Sequence, residues 1–455
     1  MKKAVAFLLS LAVLSTSALA GCSQGSNSGT AGSSSGGKSS VSIAYQISGT
    51  TDPFGTWLAG VTKAFNAQNP DITVKPVPIT ADENTFYTKL DLEMKSAKTC
   101  PDVVTEDTFL INSDAAAGYL QPLTSRVNNW SDWSKFITNI KQGVTGSDKN
   151  VYGVPYNTDS RGLWYNKDVF AKAGLPANWQ PKNWDDILSA CKAIKEKCPD
   201  VVPFWAPVSK AEGEGTSIQE YEMLLYGTGE RLVDSDNKYI VSSPGILASL
   251  QLLQTIFKSG YGPKLSDVIN SQASNVAVSS FLNKGKLGIF LMGTWIGYNY
   301  MSNGSSPWPE YTSKLGLAAM PTSKGQDPGT ITMSGGWAFS IPKNSAHQDA
   351  AWKFIQFASS KDNIMNIEKA QGTLTTRTDV AQDSAYTSIP FNGIASKFLE
   401  TAQFRPADSN YPKVSTAIQT MVESVVTSTK TPEQAMATYA SDVKQIVGTD
   451  HTVTK

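Results

Sequence analysis

Three carboxylates and one arginine lie near the predicted strand ends, and their side chains could carry chemistry. Glu106 and Asp107 follow a short apolar strand at 103–104, and Asp159 and Arg161 lie in the polar run NTDSR. A pair of carboxylates can hydrolyse a glycosidic bond. Carboxylates and arginine can instead hold hydroxyl groups by charge-assisted hydrogen bonds. Because no motif singles out one acid pair, these residues leave hydrolysis and binding both open.

Nucleophilic catalysis has little support, because the chain has only two histidines. A Ser-His-Asp or Cys-His arrangement needs a histidine beside the nucleophile. His347 is predicted at the start of a helix, and His451 lies in the C-terminal tail. No G-x-S-x-G, P-loop or G-x-G-x-x-G motif lies between a predicted strand and a predicted helix. We therefore predict no cofactor and no enzymatic activity.

The four cysteines do not predict a metal site, because a structural zinc site needs about four cysteine or histidine ligands at close spacing. Inside one continuous helix the Cα atoms of Cys191 and Cys198 would lie about 10.5 Å apart, too far for a disulfide bond. A Cys191–Cys198 bond therefore requires that the helix end before Cys198, and this pairing is left open with Cys100 as a free thiol. The alternative, Cys100–Cys198, would join the two halves of the chain.

The N-terminal segment is typical of an exported protein. In residues 1–21, Lys2 and Lys3 precede an apolar run that leads into the sequence LAGC. This sequence resembles the bacterial lipobox, which implies cleavage before Cys22 and lipidation of its thiol. Residues 22–40 are nearly all serine, glycine and small polar residues, which predicts a flexible tether. We expect a protein anchored by lipid to the extracellular face of the cytoplasmic membrane.

The composition argues against nucleic acid as a partner. The chain has 39 basic and 39 acidic residues without a basic stripe, whereas nucleic-acid binding needs clustered positive charge. Only 17% of its residues are charged, yet it has 11 tryptophans. Some of these aromatic rings are therefore candidates for a ligand site, although most are expected in the core.

Hydrophobic periodicity predicts two α/β lobes. The run VSIAYQI at 41–47 alternates as a strand does, and a helix, a strand, a helix and the Val-Val strand follow it. The same order restarts at RGLWYNK (161–167) and reaches VVPFW at 201–205. It favours mainly parallel sheets flanked by helices. The motif CPDVV occurs at 100–104 and 198–202, and we interpret both copies as joints between a helix and a buried strand.

Four blocks of sequence carry a family resemblance. They are VYGVPYNTDSRGLWYNKDVFAKAGLPANWQPKNWDDILSACKAI (151–194), GKLGIFLMGTW (285–295), MPTSKG (320–325) and GGWAFSIPKNSAHQDAAWKFIQFAS (335–359). In this order they resemble the extracellular solute-binding proteins of bacterial sugar ABC importers, the group that includes the maltose-binding proteins. The resemblance extends over residues 41–447.

The resemblance implies two lobes joined by crossover segments, with a ligand cleft between them that closes by a hinge motion. Crossovers are expected near 150–156, 300 and 360. The implied boundaries are 41–152 plus 300–360 for the N-terminal lobe and 153–299 plus 361–455 for the C-terminal lobe.

The resemblance also points to residues of the cleft. Tryptophan packs on the apolar face of a sugar, and carboxylates, amides and arginine bind its hydroxyl groups. Trp295 matches a family tryptophan that stacks on sugar, and Asp159 matches a family acid in the crossover. The predicted ligand-binding residues are Gln46, Ser48, Glu106, Asp107, Asn157, Asp159, Arg161, Trp295, Gly335, Gly336, Trp337 and Arg377.

Together these expectations describe a monomeric, lipid-anchored substrate-binding component of an ABC importer. It would capture a mono- to oligosaccharide and deliver it to permease subunits that work with a cytoplasmic ATPase. Two alternatives stay open: a secreted glycoside hydrolase with a carboxylate pair, and a binding protein for a non-sugar solute such as a phosphodiester or a peptide.

Overall fold

The computed structural model describes residues 38–47, 49 and 51–455. The predicted signal peptide, most of the tether, Cys22 and Ser48 lie outside the described residues. Within the described part of the chain, no helix is both long and apolar enough to span a bilayer. The same residues contain no group of three or more histidine, cysteine, aspartate and glutamate side chains that could hold a metal ion.

Short strands alternate with helices along the described chain. The strands are β1 (Ser39–Ile47), β2 (Ile72–Thr80), β3 (Val103–Asp107), β4 (Gly153–Pro155), β5 (Arg161–Asn166), β6 (Val202–Trp205), β7 (Tyr239–Ser242), β8 (Leu287–Gly293), β9 (Leu315–Ala318), β10 (Met320–Pro321), β11 (Thr330–Met333), β12 (Trp337–Ser340), β13 (Ala402–Gln403) and β14 (Thr452–Thr454).

The α-helices are α1 (Pro53–Gln68), α2 (Glu83–Met94), α3 (Ile111–Ala116), α4 (Thr124–Asn128), α5 (Thr138–Gln142), α6 (Lys167–Ala173), α7 (Trp184–Lys197), α8 (Glu214–Thr216), α9 (Glu222–Gly227), α10 (Pro244–Lys258), α11 (Leu265–Val268), α12 (Ala273–Val276), α13 (Tyr311–Lys314), α14 (Gln348–Ala358), α15 (Lys361–Gln371), α16 (Thr378–Ala381), α17 (Ser384–Thr387), α18 (Asn392–Phe398), α19 (Tyr411–Val426) and α20 (Pro432–Val447).

The first lobe is built on a five-stranded sheet with the order β2-β1-β3-β12-β4. Strand β1 runs parallel to β2 and β3, because helices α1 and α2 return the chain to the same edge. Helix α1 begins at the N-cap Asp52, whose carboxylate accepts a hydrogen bond from the backbone N–H of Gly55. Its buried face includes Trp57 and Phe65, which belong to the core of this lobe.

The second lobe is built on a four-stranded sheet with the order β6-β8-β5-β9. Strands β6 and β8 are parallel, whereas β5 runs antiparallel to both β8 and β9. In the first sheet, β12 likewise runs antiparallel to β3 and β4. The chain enters both β5 and β12 from the opposite lobe, so no parallel crossover helix sets their direction. The predicted class of two α/β lobes is confirmed, but both sheets are mixed, so the prediction of mainly parallel sheets is wrong.

Strand pairing places the lobe boundaries differently from the predicted ones. Strand β4 ends in the first sheet and β5 begins in the second, so the first crossover spans 156–160. The second spans 334–336, because β9 pairs with β5 in the second lobe and β12 returns to the first sheet. The third crossover lies between Ile389 and Phe391. Ile389 still packs in the core of the first lobe, whereas the Phe391 ring contacts Trp164 of the second lobe. Sequence periodicity does not reveal these points, because it does not show which sheet a strand joins.

The two CPDVV motifs both join a helix to a strand, but their aspartates differ. Asp102 is buried and accepts hydrogen bonds from Ser42 (backbone N, 2.9 Å; Oγ, 3.1 Å) and from the Ser345 hydroxyl (2.8 Å). The His347 Nδ1 lies 3.1 Å from the same carboxylate. Asp200, the counterpart in the second copy, is exposed. The first copy therefore fastens β1, β3 and the start of α14 together.

This difference predicts unequal effects on stability. Asp102→Ala should lower the free energy of unfolding by about 2 kcal/mol, because it leaves the N–H of Ser42 and the hydroxyl of Ser345 without their acceptor. Asp200→Ala, the matched control, should change it by no more than about 0.5 kcal/mol. Denaturant unfolding of both variants measures the difference, and equal losses would contradict the distinct role of Asp102.

The open question about Cys191 and Cys198 is answered by the helix that contains them. Helix α7 continues to Lys197, and the N–H of Cys198 still donates to the carbonyl of Ile194 at 2.7 Å. The two residues are therefore nearly two helical turns apart, and Cys100, Cys191 and Cys198 are free thiols. A Cys191–Cys198 disulfide is thus excluded by this fold.

Candidate functional site

A cavity of about 690 Å³ lies between the two lobes. Its walls come from the ends of strands β1, β3 and β12 on one side, and on the other side from the segment after β8 and the helical segments at 210–219 and 271–279. The first crossover, at 156–160, also contributes side chains to the cavity. Seven predicted ligand residues line it together: Gln46, Asp107, Asn157, Asp159, Arg161, Trp295 and Trp337.

The phase of strand β3 decides which of its acids reaches the cavity. Thr105 and Asp107 line the cavity, whereas the Glu106 side chain between them points to the opposite face and is fully buried. The prediction that Glu106 binds ligand is therefore wrong. Its carboxyl lies beside that of Asp114, and burial, with the nearby Asp114 charge, raises the pKa of Glu106 far above the usual range. Burial raises the pKa of Asp114 to about 8.

This buried acid pair predicts a dependence of stability on pH. The folded protein holds protons that the unfolded chain releases, so stability falls as pH rises through the window from 3.8 to about 8 for Asp114. Glu106→Gln should narrow the difference in Tm between pH 5.5 and pH 8.5, because glutamine stays neutral at both. Glu196→Gln, at an exposed site, should leave this difference unchanged. An identical pH profile for wild type and Glu106→Gln would contradict the prediction.

The crossover residues are held by a network of hydrogen bonds around two glycines. The Asn157 amide oxygen accepts from the N–H of Trp337 (2.9 Å), and the Asp159 carboxylate accepts from the N–H of Gly335 (2.8 Å). Gly336 has a φ of +123°, and a Cβ there would lie 2.3 Å from the carbonyl oxygen of Asn157. Gly336 thus lets the two crossovers approach closely, and Gly335 leaves room for the Arg405 guanidinium, which would lie 2.7 Å from a Cβ there. Neither glycine lines the cavity, so the prediction that they bind ligand is wrong.

Trp295 and Arg161 form one wall of the cavity. The Arg161 guanidinium lies 5.1 Å from the centre of the Trp295 ring and forms an ion pair with Asp159. It also donates to Gln219 Oε1 at 3.2 Å and to the Met333 carbonyl at 3.2 Å. This arginine is buried, so it fixes the partly exposed indole ring in place.

Arg405 joins the lobes beside the cavity and was not predicted from the sequence. Its guanidinium donates to Asp107 (2.8 Å) and to the Thr108 hydroxyl (2.9 Å) of the first lobe. It also donates to Glu214 of the second lobe at 3.3 Å and lies 5.0 Å from the centre of the Phe109 ring. The run QFRPADS around it has no periodicity or motif that could have indicated this role.

Two π-helical segments shape the second-lobe wall. They cover Ser217–Tyr221 and Ala277–Phe281, and each contributes neighbouring side chains to the cavity, Ile218 with Gln219 and Val278 with Ser279. A π-turn inserts one residue into an α-helix and is often found at functional sites.

Arg377 does not belong to the cavity. Its buried guanidinium is bound by Asp132 and Asp379, each at 2.8 Å, and donates to the carbonyl of Ser359 at 2.9 Å. The prediction that it binds ligand is wrong, because these bonds make it a structural tie within the first lobe. Gln46 lines the cavity, and its amide nitrogen donates to the carbonyl of Ala81 at 3.2 Å.

Comparisons with known proteins agree with this architecture. Residues 48–365 match the family model described as bacterial extracellular solute-binding protein. A Brucella abortus protein described as a binding protein is 23% identical, over 86% of this chain and 90% of its own length. The arabinooligosaccharide-binding protein of Bacillus subtilis is 22% identical over 98% of this chain and 100% of its own length.

A solved structure shows the same arrangement of lobes. An ABC transporter solute-binding protein of Thermotoga lettingae, determined with α-D-tagatose, is 26% identical and aligns with a TM-score of 0.78. The alignment covers 90% of this chain and 100% of that protein. Since the family model spans more than half of the sequence, the chain belongs to the bacterial extracellular solute-binding proteins.

Proposed function

We propose that this protein is the substrate-binding component of an ABC importer and captures a carbohydrate in the cavity between its lobes. This proposal rests on the side chains that line the cavity. The rings of Trp295 and Trp337 line it together with polar groups, which are the amides of Gln46 and Asn157 and the carboxylate of Asp159. Such a site offers flat apolar surfaces and many hydrogen-bonding groups, which is what a sugar requires. The B. subtilis and T. lettingae relatives, named for a carbohydrate or solved with one, support this class of ligand.

The remaining parts of the proposal concern location and partners. Lipidation of Cys22 would hold the protein at the extracellular face of the cytoplasmic membrane, and the closed lobes would deliver the sugar to permease subunits served by an ATPase. A monomer is sufficient for this role, since both walls of the cavity come from one chain. Mass spectrometry of the natively expressed protein should find diacylglycerol on Cys22, and an unmodified N-terminus upstream of it would contradict the anchor.

Hydrolysis is the second candidate function, and one observation favours it. Burial beside Asp107 and Glu214 raises the pKa of Glu83, a cavity residue, to about 8, as a general acid would need. Against it, the carboxylates of Asp107 and Asp159 are each already paired with an arginine, so neither is free to act as the second catalytic carboxylate. We therefore propose binding without chemistry.

A screen of mono- and oligosaccharides by thermal unfolding tests the proposal. We expect saturable stabilisation by one group of sugars, with the sugars recovered intact by chromatography. If the amount of hydrolysis product exceeds the amount of protein, the proposal of binding is wrong and the protein is a hydrolase. If peptides or phosphodiesters stabilise the protein and no sugar does, the proposal of a carbohydrate ligand is wrong.

A further inference from the structure

A hydrogen-bonded chain of buried side chains lies behind the cavity wall in the second lobe. The hydroxyl of Tyr411, the first residue of α19, lies 2.7 Å from Oε1 of Glu214 and 2.6 Å from Oε1 of Glu222. Tyr411 and Glu222 are fully buried, and Glu214 is nearly so. Both distances are those of hydrogen bonds between oxygen atoms. The Tyr411 hydroxyl therefore bonds to two carboxyl groups at the same time.

These two bonds need one more proton than the hydroxyl supplies. A tyrosine hydroxyl has a single hydrogen to donate, and an ionised carboxylate can only accept. When the hydroxyl donates to one carboxylate, the second bond requires a protonated carboxyl that donates to the hydroxyl oxygen. One of the two glutamates therefore holds a proton in this arrangement.

The surroundings of the two glutamates place this proton on Glu222. Glu214 accepts from the Arg405 guanidinium at 3.3 Å and from the Ser415 hydroxyl, as an ionised carboxylate does. The Oε2 of Glu222 is shielded from solvent and has no hydrogen-bond partner among the described residues. A buried charge without partners costs far more free energy than a neutral carboxyl does. Burial, together with the Glu214 charge, raises the pKa of Glu222 to about 8.

The other end of this chain touches the first lobe. The Tyr411 ring contacts Phe109 of the first lobe with ring centres 6.3 Å apart, and the Arg405 guanidinium lies 5.0 Å from the centre of the same ring. Arg405 also donates to Asp107 of the first lobe at 2.8 Å. The hydrogen-bonded chain that begins at Glu222 therefore ends at the contact between the lobes.

We propose that Glu222 is a positioning residue for closure of the lobes: its neutral carboxyl directs the Tyr411 hydrogen to Glu214 and leaves Arg405 to bond to the first lobe. Loss of the proton would leave two buried carboxylates with one hydrogen between them. The added negative charge would attract the Arg405 guanidinium in competition with Asp107. The contact between the lobes should therefore weaken as the pH rises through about 8. This inference goes beyond the proposed function, because it concerns closure and not the identity of the ligand.

The other titratable and charged groups around Glu222 keep their charge state in this pH range. Arg161 and Arg405 are cations that act on Glu222, and Arg405 holds Glu214 ionised. Burial raises the pKa of each neighbouring tyrosine, so these hydroxyls stay neutral. The tyrosines are Tyr221, Tyr226, Tyr239, Tyr411 and Tyr439. Among the groups that face it, Glu222 is therefore the one whose charge changes near pH 8.

Infrared difference spectroscopy tests the proton on Glu222. The spectrum of the wild type minus that of Glu222→Gln at pH 6.5 should contain the carbonyl stretch of a protonated carboxyl, and this band should be lost at pH 9.5. Glutamine is the matched substitution, because it stays neutral and its amide can donate to the Tyr411 hydroxyl. Carboxylate bands alone at pH 6.5, or a carboxyl band that is unchanged at pH 9.5, would overturn the proposal.

Small-angle X-ray scattering of the full protein without added sugar tests the effect on closure. The wild type should have a larger radius of gyration at pH 9.5 than at pH 6.5. Glu222→Gln should keep the value of pH 6.5 at both, because glutamine has no proton to lose. Glu220→Gln is the control, because Glu220 is equally buried but has no hydrogen bond from either carboxyl oxygen among the described residues. It should respond to pH as the wild type does.

Two scattering results would overturn the role of Glu222. One is a radius of gyration of the wild type that does not change between the two pH values. The other is an equal increase in the wild type and in Glu222→Gln, since a purely structural role of this side chain would not make closure depend on its proton.

Discussion

Trp295→Ala is expected to weaken sugar affinity by about 30-fold or more, which corresponds to about 2 kcal/mol. The indole ring lies directly over Gly293, where a Cβ would come within 2.0 Å of it, and the Arg161 guanidinium packs against it. The ring is therefore fixed before a ligand arrives, and alanine removes a preorganised stacking surface. Titration with the strongest stabilising sugar from the thermal screen measures the loss.

A second tryptophan in the same lobe provides the control. Trp308 is also partly buried and contacts Tyr300, with ring centres 5.5 Å apart, but it does not line the cavity. Trp308→Ala should lower Tm by a few degrees, as Trp295→Ala does, and leave the affinity at the wild-type value. Wild-type affinity in Trp295→Ala would show that the sugar binds elsewhere.

Arg405→Gln is expected to lower the free energy of unfolding by about 3 to 5 kcal/mol. The substitution leaves Asp107 of the first lobe and Glu214 of the second lobe buried without their counter-charge. Like charges then face each other across the cavity, so the lobes should also separate. Denaturant unfolding measures the first effect, and small-angle X-ray scattering, as an increased radius of gyration, measures the second.

The control for Arg405 is an arginine in an exposed ion pair. Arg126 bonds to Asp349 at 2.7 Å, and the Asp349 side chain is 92% exposed. Arg126→Gln should cost no more than about 1 kcal/mol and should not change the scattering profile, because solvent already screens this pair. Losses of equal size in the two variants would show that Arg405 does not carry a buried interlobe interaction.

The sequence predicts many of the helices and strands, because local residue patterns determine them. The alternating run VSIAYQI indicates β1, and the runs RGLWYNK and VVPFW indicate β5 and β6, as the structure has them. The resemblance indicates Asn157, Asp159 and Trp295, because these residues lie within the blocks 151–194 and 285–295 that resemble the family. All three line the cavity, although ligand binding by them stays a prediction.

What the sequence does not predict depends on contacts between distant segments. Glu106 and Asp107 are chemically alike, and only the phase of β3 relative to the core decides that Asp107 reaches the cavity. Arg405 joins the lobes through Asp107 and Glu214, which lie 298 and 191 residues before it in the sequence. Arg377 is also an arginine in a polar run. Both of its partners, Asp132 and Asp379, lie in the first lobe, so it does not join the lobes as Arg405 does.

The position of β12 in the first sheet has a consequence for the kinetics of folding. This strand lies between β3 and β4, although both of them precede it by a large part of the chain. The first lobe therefore cannot complete its sheet until most of the polypeptide is available, and the loop that must close contains the whole four-stranded sheet of the second lobe. Helices α19 and α20 of the second lobe in turn follow β12, so neither lobe can be completed from one continuous part of the chain. Such a high contact order slows folding and makes it a property of the whole chain.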